Sequence, residues 1–199
     1  MAQPTLQTER ITLVPLAEEH LEHEVELDAQ PEVMRFLTGR PRTRDEVETI
    51  HRRRLAIARD NPGLGFWSGF TPNDSGGGFV GWWILEPPER DEQRVAAQAE
   101  LGYRLLPRFW RQGLASEGAR ELIRYGFEQL RLERIIAETM AVNEASRATM
   151  TAVGLRYVRT FHLEFDDPLP GTDQGEVEYA ITRAEWVTAS SRGRDRSAP

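Results

Sequence analysis

"RFWRQGLASEGARELIRYGF", residues Arg108 to Phe127, crowds Arg111, Gln112, Gly113, Leu114 and Ala115 into one short turn and then reads as a helix. Leu114, Gly118, Leu122, Gly126 and Leu130 recur every fourth residue, a stripe that lays the helix on a sheet. Gly113 removes a side chain where the backbone must come close to something. A helix starting here points unpaired NH groups, from about Gly113 to Glu117, and the positive end of its dipole outward. Arg111 adds a full charge, so the turn suits a pyrophosphate. Spacing leaves a second reading open, in which the glycine serves tight strand–helix packing and Arg111 is solvated.

The segments around that helix alternate in kind. Upstream, "LGFWSGF", "GFVGWWIL" and "AQAELGYRLL" are short aromatic and aliphatic runs separated by "TPNDSGGG" and "EPPERDEQR", the pattern of a three-strand meander. Earlier still, "RITLVP" reads as a strand. A helix over Glu18–Gln30, with Leu21, Val25 and Leu27 on its apolar side, and a short turn at "PEVMRFL" follow it. Thr43 and Glu46 form a capping box that opens a basic amphipathic helix, ended by "NPG" at Asn61 to Gly63. Downstream, "ERIIAETMA" is a strand and "NEASRATMTAVG" a short helix with Asn143 as its N-cap. "LRYVRTFHLEF" and "EVEYAIT" are strands around the polar loop "DDPLPGTDQG". The order predicts an α/β fold with a mixed, largely antiparallel sheet of about seven strands and helices on both faces.

With 199 residues, 39% of them hydrophobic, the chain is expected to form one domain over residues 1–187, followed by a solvated tail over 188–199. No run of about 18 apolar residues and no signal peptide is present, which points to a cytoplasmic protein without a membrane partner. The absence of cysteine excludes disulfides, thiolate metal sites and an acyl-cysteine route, and no metal is expected. A formal charge of −7 argues against nucleic acid as a partner.

"TERITLVPL", "PEVMRFL" and the long stretch from "ELGYRLLPRFWRQGLASEGARELIRYGF" to "TAVGLRY" resemble the GNAT superfamily of acetyl-CoA-dependent N-acetyltransferases, in its RimJ/RimL-like branch. The resemblance runs through residues 8 to 160 in order. The superfamily's phosphate signature falls on Trp110, Arg111, Gln112, Gly113, Leu114 and Ala115, with Trp110 standing where the signature has Arg or Gln. It implies acetyl-CoA as cosubstrate, its pyrophosphate on this turn through to Ser116 and its pantetheine along "LGYRLL" as an added strand. Pairing on that strand stops before Pro107, and the family implies that a neighbouring strand diverges there.

Acetyl transfer needs a neutral amine, a polarised carbonyl and a proton for the leaving sulfur. The resemblance implies that a backbone NH of Tyr103, Arg104 or Leu105 polarises the carbonyl. It also implies that Ser146 protonates the sulfur and that Asn143 contacts CoA or substrate. Taken alone, Ser146 is an ordinary first-turn serine and Asn143 an N-cap. Glu100 could draw the proton from the substrate ammonium, or be a strand-end charge. Trp82 and Trp83 face opposite sides of their strand, one toward the core and the other free to line an acceptor groove. Glu164, Asp166, Asp167, Glu176 and Glu178 hint at a cationic acceptor. The acceptor is a small-molecule amine or a protein N-terminus, and a homodimer is left open. The alternative is a non-catalytic acyl-CoA-binding sensor or scaffold.

Overall fold

The computed structural model describes residues 2–72, 78–88 and 97–195, so the middles of the expected turns "TPNDSGGG" and "EPPERDEQR" lie outside the described residues. The strands are β1 (Leu6–Gln7), β2 (Thr12–Pro15), β3 (Gly65–Thr71), β4 (Gly78–Glu86), β5 (Gln98–Leu105), β6 (Arg134–Met140), β7 (Arg156–Phe161) and β8 (Glu176–Thr182). They form one eight-stranded sheet in the order β1-β2-β3-β4-β5-β6-β8-β7. Every neighbouring pair is antiparallel except β5–β6. The strand beyond the expected seven is β1, whose two residues are too few to show alternation.

The helices are α1 (Leu21–Asp28), α2 (Pro31–Met34), α3 (Arg44–Asp60), α4 (Leu114–Glu128), α5 (Glu144–Ala152) and α6 (Arg183–Asp195). The capping box at the start of α3 is present: Glu46 N donates to Thr43 Oγ1 at 3.4 Å and Thr43 N donates to Glu46 Oε2 at 2.8 Å. The expected tail is helical as far as Asp195, with the Glu185 carboxylate accepting from Thr182 N at 2.9 Å at its start. Small and polar residues permit that helix although they carry little apolar periodicity.

One face of the sheet carries α4. Leu114, Ala119, Leu122 and Ile123 pack with Trp83, Leu85, Leu101 and Ile135, each large side chain contributing about 1.5–3 kcal/mol by burial. Gly118 lets the helix settle on Trp83: a Cβ there would lie 2.5 Å from the indole. The Trp83 indole NH then donates to the Ala115 carbonyl at 3.1 Å.

The other face carries α1 to α3 over Phe66, Trp82 and Ile84. Here the expected inward face of α1 is corrected. Leu27 is buried, but its companions are Glu24 and Asp28, not Leu21 and Val25. Burying a carboxylate is costly unless it is paired, and both are. Glu24 meets His51 Nδ1 at 2.6 Å and also Arg54, while Asp28 accepts from Arg42 at 2.8 Å and from Arg104.

Candidate functional site

The parallel partnership of β5 and β6 is short. Its pairs are Gln98 with Arg134, Ala99 with Ile135 and Glu100 with Ile136. Beyond them β5 follows β4 as far as Leu105 opposite Gly81, and β6 follows β8 as far as Met140 opposite Glu176. Each strand keeps its longer antiparallel ladder, and sheet twist carries the two apart. The sheet therefore splits just beyond Glu100, earlier than the Pro107 stop read from the sequence.

Backbone direction in the split follows from one bond. Leu106 N donates to the Val80 carbonyl of β4 at 2.9 Å, so alternation turns the polar groups of Gly102 and Arg104 toward β4. The carbonyl of Leu101 and the polar groups of Tyr103 and Leu105 face the open edge. The Leu105 carbonyl is taken by the indole NH of Trp110 at 2.7 Å, which gives the residue at the signature's first position a local task. The expectation for Arg104 is corrected: its backbone faces β4 and its guanidinium is bound to Asp28 over the Trp82 ring, 4.7 Å from the centroid. Burial pushes that guanidinium down to about 10, against the charge of Asp28. Both tryptophans are buried, so Trp82 lines no open groove.

The split leads to the turn at the start of α4. Arg111 and Gly113 both take left-handed backbone, with φ of 59° and 79°. Glycine does so freely, whereas the arginine stores strain. Gly113 is the N-cap, and the first helical bond runs from Glu117 N to the Gly113 carbonyl at 3.0 Å. The NH groups of Leu114, Ala115 and Ser116 therefore have no acceptor within the helix. Leu114 turns its side chain into the core, while Arg111 and Gln112 are exposed. Gln112 braces the turn by donating from Nε2 to the Arg108 carbonyl at 2.8 Å.

Across the split stands α5. Asn143 Oδ1 accepts from Ser146 N at 3.3 Å, confirming the cap, and Asn143 Nδ2 donates to Thr139 Oγ1 at 3.0 Å. The Tyr103 hydroxyl donates to the Ser146 carbonyl at 3.1 Å and lies 3.4 Å from Ser146 Oγ. Burial pushes the Tyr103 phenol above its ordinary value, with the hydroxyls of Ser146 and Thr149 opposing it. Alternation along β5 puts Glu100 on the face of Arg104, opposite to Tyr103 and Ser146. The structure thus gathers Tyr103, Asn143 and Ser146 on one side of the split and Glu100 on the other.

The acidic hint near the C-terminus is partly removed. Glu178 is buried between Arg134 and Arg159, both at 2.7 Å, while Asp166 and Asp167 are exposed. Sequence reading missed the link between the chain's start and the turn. Glu117 Oε1 accepts from Thr8 Oγ1 at 2.6 Å and from Arg10 N at 2.8 Å, and the Arg10 guanidinium reaches both Glu117 and the Gln112 carbonyl. An acid in the first turn of α4 was the available signal. Among the described residues, no cluster of three or more His, Asp or Glu could hold a metal, and no helix is long and apolar enough to cross a membrane.

The profile of the acetyltransferase (GNAT) domain matches residues 10–156, from Arg10 through α5 to the start of β7. The chain belongs to the GNAT acetyltransferase family. As a GNAT protein it is an N-acetyltransferase, and the acetyl donor of this family is acetyl-CoA. It is similar to the FsC-acetyl coenzyme A-N(2)-transacetylase of Aspergillus fumigatus, with 46% identity over 200 residues, 98% of this chain and 83% of that protein. Its fold matches a GNAT acetyltransferase from Bacillus anthracis with a TM-score of 0.70 at 21% identity, over 91% of this chain and 99% of the other. A spermidine N-acetyltransferase from Vibrio cholerae, solved with CoA and spermine, matches with a TM-score of 0.71 at 17% identity, over 89% and 98%. These last two likenesses concern the fold.

Proposed function

We propose that this GNAT enzyme acetylates a small-molecule primary amine rather than a protein N-terminus, at a nitrogen of the N(2) type. The observation that carries the cofactor's placement is the open β5 edge running to the unpaired NH groups of α4. The acceptor class is supported by the relative at 46% identity, named for acetyl transfer to an N(2) nitrogen.

The residues fit CoA. In this reading the NH groups of Gly113, Leu114, Ala115 and Ser116, with Arg111 and the Gln112 turn, hold the pyrophosphate. The free edge at Leu101 and Tyr103 pairs with the pantetheine amides, and the Tyr103 or Leu105 NH polarises the carbonyl. When bound, the cofactor supplies a thioester carbon that an amine attacks directly. Glu100 takes the ammonium proton from one face of the split. Ser146, coupled to Tyr103 and placed by the Asn143 cap, gives a proton to the sulfur from the other as the C–S bond breaks. The buried, hard-to-ionise Tyr103 phenol suits a group that keeps its proton until the thiolate forms.

The test is thiol release from acetyl-CoA against a panel of small amines and N-terminal peptides. Turnover with small amines is expected, and turnover with peptides alone would overturn the acceptor class. A protein that binds CoA but releases thiol with no amine would restore the non-catalytic alternative. Cofactor placement is tested separately by Gly113→Asp, which sets bulk and negative charge in the turn. CoA should raise the wild-type Tm and leave the variant's unchanged. An equal shift in both would remove the cofactor from this turn.

A further inference from the structure

Arg10 lies on the β1–β2 turn, far from Gly113 in sequence, yet its guanidinium is set beside that glycine. Its Nε donates to Glu117 Oε2 at 2.7 Å, its Nη2 meets the same oxygen at 2.6 Å, and its Nη1 donates to the Gln112 carbonyl at 2.9 Å. A Cβ built on Gly113 would have one neighbour within 4 Å, Arg10 Nη2 at 3.5 Å. The guanidinium therefore forms one wall of the turn, and its side chain is still 49% exposed. A guanidinium has five N–H donors, so the three contacts leave donors for a ligand.

The charges explain why the pair is arranged this way. Glu117 sits one turn into a helix whose N-terminus faces an anion in the reading above, where a bare carboxylate would repel it. It is 14% exposed and is bound by Thr8 and by both the backbone and side chain of Arg10. Arg10 cancels its charge, and Glu117 in return holds a flexible side chain in one position. A cation fixed in advance loses little rotamer entropy when it meets a ligand.

We propose that Arg10 is a phosphate ligand of the CoA site, held in place by Glu117, so that the cofactor is gripped by the chain's N-terminal turn as well as by α4. The inference rests on the reading of the Gly113 turn as the phosphate site. It supplies a full charge at a position the phosphate signature does not include. The phosphate concerned is the pyrophosphate or the 3′-phosphate of CoA, two sources of the same chemistry.

Calorimetric titration of CoA and of 3′-dephospho-CoA into the wild type, Arg10→Gln, Arg10→Lys and Glu117→Gln tests it without turnover. Arg10→Gln should weaken CoA about tenfold or more, as expected for a charge-assisted bond, and flatten the salt dependence of Kd. Arg10→Lys should recover part of the affinity. Glu117→Gln leaves one acceptor oxygen where the carboxylate has two, so Arg10 loses part of its hold and CoA should bind more weakly. An equal loss for both ligands in Arg10→Gln assigns the pyrophosphate, and a loss for CoA alone assigns the 3′-phosphate. Wild-type Kd in Arg10→Gln would overturn the proposal. So would an unchanged Kd in Glu117→Gln, which would mean that the pairing does not position Arg10. If Gly113→Asp abolishes binding while Arg10→Gln keeps the wild-type Kd, this inference fails and the site reading stands. If Gly113→Asp binds normally, the site reading itself fails.

Discussion

On the α4 face of the sheet, the buried residues of α4 are Leu114, Gly118, Ala119, Leu122, Ile123, Tyr125, Gly126 and Phe127, and the Tyr125 hydroxyl donates to the Gly63 carbonyl. On the α1–α3 face, Glu24 and Asp28 are as deeply buried as Leu27 and Met34, and His51 and Arg54 are buried with them. The first face is held by shape, and its sensitive points are the glycines that let bulky rings approach. The second is held by paired charges, where removing one partner strands another in a low dielectric. The candidate cofactor turn and the Tyr103–Ser146 contact belong to the first face, and Glu100 and Arg104 to the second.

The difference can be broken most strongly at Asp28. Asp28→Ala leaves Arg42 and Arg104 without their shared partner and should cost about 3–5 kcal/mol in urea unfolding. A cost near that of an exposed carboxylate would mean that the second face does not depend on its ion pairs. Ser146→Ala should leave stability and CoA affinity unchanged and lower kcat about 100-fold, close to 2.7 kcal/mol of barrier. Wild-type turnover would move the proton transfer to Tyr103 or to water. Gly118→Ala sharpens the contrast from the apolar side. Its Cβ would meet the fully buried Trp83 ring at 2.5 Å, and overpacking should cost about 1–2 kcal/mol even after the gain in helix propensity. A stabilised variant would show that the first face can yield.

The smallest expected effect is in pH. Burial alone would raise the Asp28 carboxyl, but the charges of Arg104 and Arg54 and the bonds from Arg104 and Arg42 hold it below the ordinary carboxylate value. A depressed native value means that its stabilisation is complete above about pH 4, where the unfolded group ionises, and is lost as the pH falls through the native value. Wild-type stability should therefore drop more steeply below about pH 4 than that of Asp28→Asn. Parallel slopes would remove Asp28 from the acid response.

The legible parts of the sequence were those governed by local rules. The α4 stripe, the Thr43–Glu46 box, the Asn143 cap and the strands from Gly65 to Leu105 each rest on near neighbours. The inward turn of Glu24 and Asp28 was not legible, because it depends on partners in α3 and β5 that spacing on α1 does not reveal. Their separation of one helical turn, with Leu27 between, was the only local trace. The backbone orientation of Arg104 was hidden for a related reason, since it depends on a bond from Leu106 to Val80 across the strand pair. Arg10 needed contact with Glu117, 107 residues further along the chain, which no local pattern carries.

The brief meeting of β5 and β6 has a mechanical consequence. Among the described residues, three residue pairs make up the ladder joining the β1–β5 part of the sheet to the β6–β8–β7 part. A seam that short behaves as a hinge between two stiffer plates, so bending should concentrate at Gln98–Glu100 rather than spread through the sheet. A molecule seated in the gap above would splint the seam, and the amides of Ala99 and Ile136 are where its arrival should be felt as slower exchange with solvent.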